Sequence, residues 1–178
     1  SRVEKLVREV EKVVEEVERT IRKLLEDVKE MTDRHLKMIE DLNRELEEIV
    51  RRVTELIKNN GDKDRILEEV EKAVEEVDRR HKRLLETNKE IIDEVKKRLD
   101  DLLRRLRKIA DEVRKRLDDT DEARKVKKRI TELVERVERE VDRVKKELEK
   151  LHERLKREVE KSSEHIKRLL DELRKRAE

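Results

Sequence analysis

Apolar residues return every three or four positions along this chain. Val3, Val7, Val10, Val14, Val17, Ile21, Leu24, Val28 and Met31 open the series. Alternating steps of four and three average 3.5 residues, the spacing that holds one seam of an α-helix against a partner helix. A β-strand would need period two, and no stretch keeps it. The seam continues through His35, Ile39, Leu42, Leu46, Ile49, Val53 and Leu56. Two successive steps of four, Met31–His35–Ile39, predict a stutter at which the supercoil locally relaxes.

Two interruptions divide the pattern. The first is Asn59-Asn60-Gly61-Asp62, which holds the one glycine of the chain. Asn and Gly tolerate the left-handed backbone that ends helices, and Asp62 or Asp64 can cap the next one. A second seam runs Val70, Val74, Val77, His81, Leu84, Asn88, Ile91, Val95, Leu99, Leu102, Leu106, Ile109, Val113. It stops at Leu117-Asp118-Asp119-Thr120-Asp121, where Asp119 or Thr120 offers an N-cap. A third runs from Ala123 through Val126, Ile130, Leu133, Val137, Val141, Val144, Leu148, Leu151, Leu155, Val159, Ser162, Ile166 and Leu169 to Leu173.

The expected product is all-α: helices over about 2–58, 63–117 and 120–177, each about 80 Å long at 1.5 Å per residue. Loops this short join antiparallel neighbours. The reading is therefore an elongated, coiled-coil-like, up-down-up three-helix bundle, one domain over 1–178. Each helix carries one apolar stripe and no second apolar face, which favours a closed monomer.

Composition removes most function classes. There is no Cys, so no disulfide scaffold, Cys-zinc site or thiol catalysis. One Gly cannot build a phosphate-cradling loop, and with no aromatic residue there is no platform for stacking bases. No apolar run reaches membrane-spanning length, and no signal-peptide core opens the chain. The 52 Lys plus Arg balance 50 Asp plus Glu, and with strict periodicity this argues against disorder. Basic runs at Arg104–Lys108 and Arg124–Arg129 meet at one end of the expected bundle, but the net acidic first helix answers part of that excess. Neither nucleic acid nor membrane is expected as a partner, and no cofactor.

One region is chemically unusual. If Leu56 faces Leu67 across the first turn, antiparallel pairing puts His35 opposite Asn88. If Val113 faces Val126 across the second, Asn88 falls beside Leu151 and His152, with Thr87 adjacent. The same register brings His81 level with Leu42 and Asn43, near Val159 and Ser162. His35, His81, Asn88 and Ser162 lie on the seams; Asn43, His152, Ser163 and His165 lie one step aside. Met31 and Met38 flank His35 by a turn each way, where flexible side chains can pack around polar groups. A buried imidazole or amide without a partner costs a few kcal/mol, so mutual hydrogen bonding is the economical arrangement. The candidate polar network is thus His35, Asn43, His81, Thr87, Asn88, His152, Ser162 and His165.

Near-equal helices, minimal loops, a Glu/Lys/Arg surface and a Leu/Ile/Val core resemble computationally designed parametric helical bundles. Uncharged polar residues at mid-seam resemble the subclass built with buried hydrogen-bond networks, some containing histidine and meant to respond to pH. Spectrin-type natural repeats match poorly, because they normally bury aromatic side chains. The resemblance implies a structural bundle without natural activity, compatible with the cytosol on recombinant expression.

Sharper chemistry has weaker support. His follows an acidic residue by three positions in Asp78-Arg79-Arg80-His81 and Glu149-Lys150-Leu151-His152. That spacing is shared with di-metal carboxylate bundles, but the inward-facing Glu partners of such sites are missing from the seams. Ser162 and His165 share a helix face, yet no oxyanion-hole loop or third group can be inferred. The function read from sequence is a non-enzymatic structural bundle whose polar core fixes register and can serve as a pH switch, since imidazole titrates near 6.5. The alternatives are an interaction module, forming a homo-oligomer or taking a partner helix, and a metal-binding bundle.

Overall fold

The computed structural model describes residues 1–59 and 61–178. Three helices account for nearly all of them: α1 Arg2–Lys58, α2 Lys63–Arg116 and α3 Asp121–Ala177. No strand occurs among the described residues. The fold is a three-helix bundle, and α1 passes unbroken through His35.

Side chains set the helix starts by satisfying backbone N–H groups that have no intrahelical partner. Ser1 Oγ accepts from the Glu4 N–H at 3.3 Å, and Asp62 Oδ1 from the Arg65 N–H at 3.4 Å. Thr120 Oγ1 accepts from the Ala123 N–H at 3.1 Å, while its own hydroxyl donates to Asp118 Oδ1 at 2.9 Å. Thr120 is therefore the cap of α3 and not its first helical residue. At the end of α2 the Leu117 N–H reaches back only three residues, to Arg114 O at 3.2 Å, so the α-helix closes at Arg116.

The Gly61 N–H donates to Leu56 O at 3.2 Å, a six-to-one closure of the end of α1. Gly61 does not itself adopt the left-handed backbone expected of it. What it supplies is room: a Cβ there would lie 3.2 Å from Leu56 O and 3.0 Å from Ile66 Cδ1. Asn60, the other residue expected to bend the turn, lies outside the described residues.

The chain divides into two compact units, each containing a segment of all three helices. Unit 1 comprises Ser1–Lys29 and Ile91–Lys150; unit 2 comprises Glu30–Glu90 and Leu151–Glu178. In unit 1 the core is entirely aliphatic. Val10, Val14, Ile21, Leu99, Leu106, Ala110, Ala123, Ile130, Val137, Val144 and Leu148 are fully buried there. Its helices are laced at the rim by Arg107–Glu138 at 3.1 Å, Lys96–Glu149 at 3.2 Å and Arg136–Glu18. Such exposed pairs contribute tenths of a kcal/mol.

Unit 2 packs its apolar residues in layers: Leu42, Leu46, Val77 and Ile166 form one, and Ile39, Leu155 and Val159 another. Ile57, Val70 and Leu173 close the end beside the first turn. The four buried polar residues of the description, Thr32, His81, Asn88 and Ser162, all belong to this unit.

The expected seams hold in period but slip by one residue in places. In α2 the buried positions are Ile92, Leu103 and Ala110, where Ile91, Leu102 and Ile109 were expected. Both members of each pair are apolar, so the pattern alone could not rank them; one residue turns a side chain 100° around the helix. In α1 the stripe widens where Leu24 and Leu25, then Met31 and Thr32, are buried together. The expected stutter at Met31–His35–Ile39 coincides with this wider stripe, in which Thr32 is buried beside Met31. Near the turn Ile57 is buried and Leu56 is 53% exposed, reversing the expected roles.

This slip is testable by truncation. Leu106→Ala in the unit 1 core should cost about 2–5 kcal/mol, whereas Leu56→Ala should stay within about 0.5 kcal/mol. Guanidinium midpoints of the two variants check the difference; equal losses would mean that Leu56 packs in the core after all.

Candidate functional site

Unit 2 holds two polar levels, and the helix period decides who belongs to each. Asn88 is fully buried on α2 and faces both other helices. Its Nδ2 donates to Thr32 Oγ1 and to His35 Nδ1, each at 3.3 Å, and both acceptors lie on α1. Its Oδ1 accepts from His152 Nδ1 on α3 at 2.9 Å. With the amide so placed, the tautomers follow: His35 carries its proton on Nε2, and His152 carries one on Nδ1. One amide therefore uses both donors and its acceptor, and joins three helices at a single level.

About two turns away along α2 lies the second level. His81 is 2% exposed, and its Nε2 lies 3.4 Å from Ser162 Oγ on α3. The Ser162 hydroxyl donates to Asn43 Oδ1 on α1. Since that hydroxyl has one proton, the His81 contact requires Nε2–H as the donor, which leaves Nδ1 as a bare lone pair. That Nδ1 is buried and meets no hydrogen-bond partner.

Burial lowers the pKa of His35 below the usual imidazole value, and the neighbouring Arg34 guanidinium lowers it further. Burial also lowers His81, with the Asp78 carboxylate pulling weakly the other way. Neutral imidazole is the form that both surroundings favour.

Two expected members stand elsewhere. Thr87 is exposed, because it precedes Asn88 by one residue and so points 100° away from it. Thr32, fully buried, takes its place; it was legible as the residue four after Val28 and three before His35. His165 is drawn off to the rim, where Nε2 lies 2.9 Å from Glu47 Oε1 with both side chains over 40% exposed. It belongs to an ion pair when protonated and not to the buried levels. His35 and His152 are half-buried. Met38, expected to pack around His35, is 50% exposed, since Ile39 occupies the seam. Met38, Leu42, Leu84, Thr87 and the outer edge of His35 line an open groove of about 470 Å³ in unit 2.

The spacings that hinted at metal ligation gain no third ligand: no group of three His, Asp or Glu among the described residues is placed to hold an ion. No described helix is long and apolar enough to cross a membrane.

These elements define the protein as a three-helix bundle. A solved structure described as "Computationally designed three helix bundle" matches it with a TM-score of 0.71, over 99% of this chain and 92% of its own, at 23% identity. That likeness establishes the fold. No protein-family model matches the sequence, and no curated relative does either.

The Asn88 level makes a direct prediction. Asn88→Ala leaves Thr32, His35 and His152 without their shared partner and should cost about 2 kcal/mol or more. Thr87→Ala, one residue away, should change stability by less than about 0.5 kcal/mol. Chemical denaturation at pH 7.5 decides between them, and a costly Thr87→Ala would put the threonine back in the network.

Proposed function

We propose that the chain is a designed, non-enzymatic structural bundle whose polar levels set which helix faces meet and make stability depend on pH. The observation that carries this reading is the placement of Asn88, fully buried and bonded to both α1 and α3. A helix shifted by one turn would strand that amide, and a stranded buried amide costs more than a mispacked aliphatic pair gains. Charge-rich helices with balanced sign and short loops support a designed origin, as does the likeness to a computationally designed bundle.

The pH dependence follows from the two depressed histidines. A histidine with a folded pKa below the unfolded value of about 6.5 binds fewer protons folded than unfolded in the interval between them. Stability is full above about pH 6.5 and declines as pH falls toward the folded pKa, by up to about 1.4 kcal/mol per pH unit for each histidine.

The test compares guanidinium midpoints at pH 7.5 and 5.0 for the parent and for His35→Asn with His81→Asn. Exposed carboxylates respond alike in both proteins, so their difference isolates the two histidines. The parent should lose more stability in acid than the double variant. Equal losses would leave the histidines with a structural role only, and a parent that gains stability in acid would mean that they pair as imidazolium.

A further inference from the structure

The two polar levels differ in what a proton would do to them, and the difference lies in how each ring reaches water. At the Asn88 level, a proton added to His35 Nδ1 faces the Asn88 Nδ2 donor. Turning the amide by 180° would leave one Nδ2–H without an acceptor, so the relief comes from the place of the ring itself. His35 is half-buried against the groove that Asp41 and Glu45 line together with Arg80 and Arg83, so its charge stays close to water and to carboxylates.

His81 has no such remedy. Nε2–H is already committed to Ser162, so an added proton must go to Nδ1. The result is a buried N–H without an acceptor on a ring that has become charged. α1 brings Leu42, Asn43 and Leu46 to this level, and α3 brings Val159, Ser162 and Ile166, none of them ionisable. The charged groups nearby are the exposed Asp78, one turn back on α2, the His165–Glu47 pair at the rim, and Glu40, Arg154, Glu158 and Lys161, which line a groove beside Asn43 and Ser162. An orphaned donor and an unpaired charge in an apolar layer are relieved only by letting water in.

Resting on the pH-responsive reading above, we propose that His81 is the acid-labile joint of the bundle and that its protonation opens unit 2 while unit 1 stays closed. At the Asn88 level the charge on His35 is met at the edge of the groove. Opening exposes the layer of Leu42, Leu46, Val77 and Ile166, so acid converts a closed core into an apolar surface. Unit 1 contains none of the four histidines and, among the described residues, no buried polar residue.

Hydrogen exchange on the full chain reads this directly, as protection relative to the intrinsic rate at each pH. Between pH 7.5 and 5.0, protection over residues 36–50, 73–88 and 155–170 should fall by about tenfold, the most that one added proton contributes per pH unit. Protection over 10–25, 99–113 and 130–148 should hold. His81→Leu and His81→Gln, which cannot titrate, should each remove most of the fall, and His35→Asn should remove less of it than either. A uniform fall in both units, or one abolished by His35→Asn and kept by both His81 variants, overturns the proposal. If the midpoint comparison shows a histidine-dependent loss while exchange is uniform, the pH-responsive reading stands and this inference alone fails.

Discussion

A primary amide removed from water must find two acceptors and a donor inside the protein, and the rest of unit 2 is arranged around how Asn88 does so. Its partners come from two different helices, at positions an aliphatic seam would fill with Val or Leu. Apolar layers tolerate sliding, because one aliphatic side chain replaces another at modest cost. An amide does not tolerate it, since each lost bond leaves a desolvated group. Helix order and register in this unit thus rest on directional bonds superposed on a non-directional core.

The two units show the same chain solving the packing problem in two ways. In unit 1, small residues such as Ala110 and Ala123 are fully buried among Val, Ile and Leu, and stability there follows burial alone. In unit 2, Thr32, His81, Asn88 and Ser162 replace aliphatics, and layers such as Ile39–Leu155–Val159 adjoin polar levels. The charged shell contributes little by comparison. Arg79–Glu76 and Arg143–Glu140, both at 2.8 Å, are mostly exposed i,i+3 pairs, screened by water.

Much of this was legible in the sequence, for a physical reason. A 3.5-residue repeat interrupted at two points leaves few alternatives to three packed helices, and antiparallel counting from the turns brought His35, Asn88 and His152 together before any coordinates. What the repeat could not resolve was the position within the stripe. Where two apolar residues adjoin, as at Leu56 and Ile57 or Leu102 and Leu103, the choice depends on the exact phase of a helix whose true period is 3.6. The same ambiguity hid Thr32 behind Met31 and promoted Thr87 beside Asn88. His165 was misassigned for another reason: Glu47, its partner, is one of many surface carboxylates and carries no mark in the sequence.

The central claim is that neutral imidazoles with defined tautomers hold these levels together. Long-range nitrogen–proton correlation spectra of the imidazole rings at pH 7.5 measure it directly. The account predicts Nε2–H tautomers for His35 and His81 and an Nδ1–H tautomer for His152. Rapidly averaged tautomers at His81 and His35, or imidazolium at either, would contradict it.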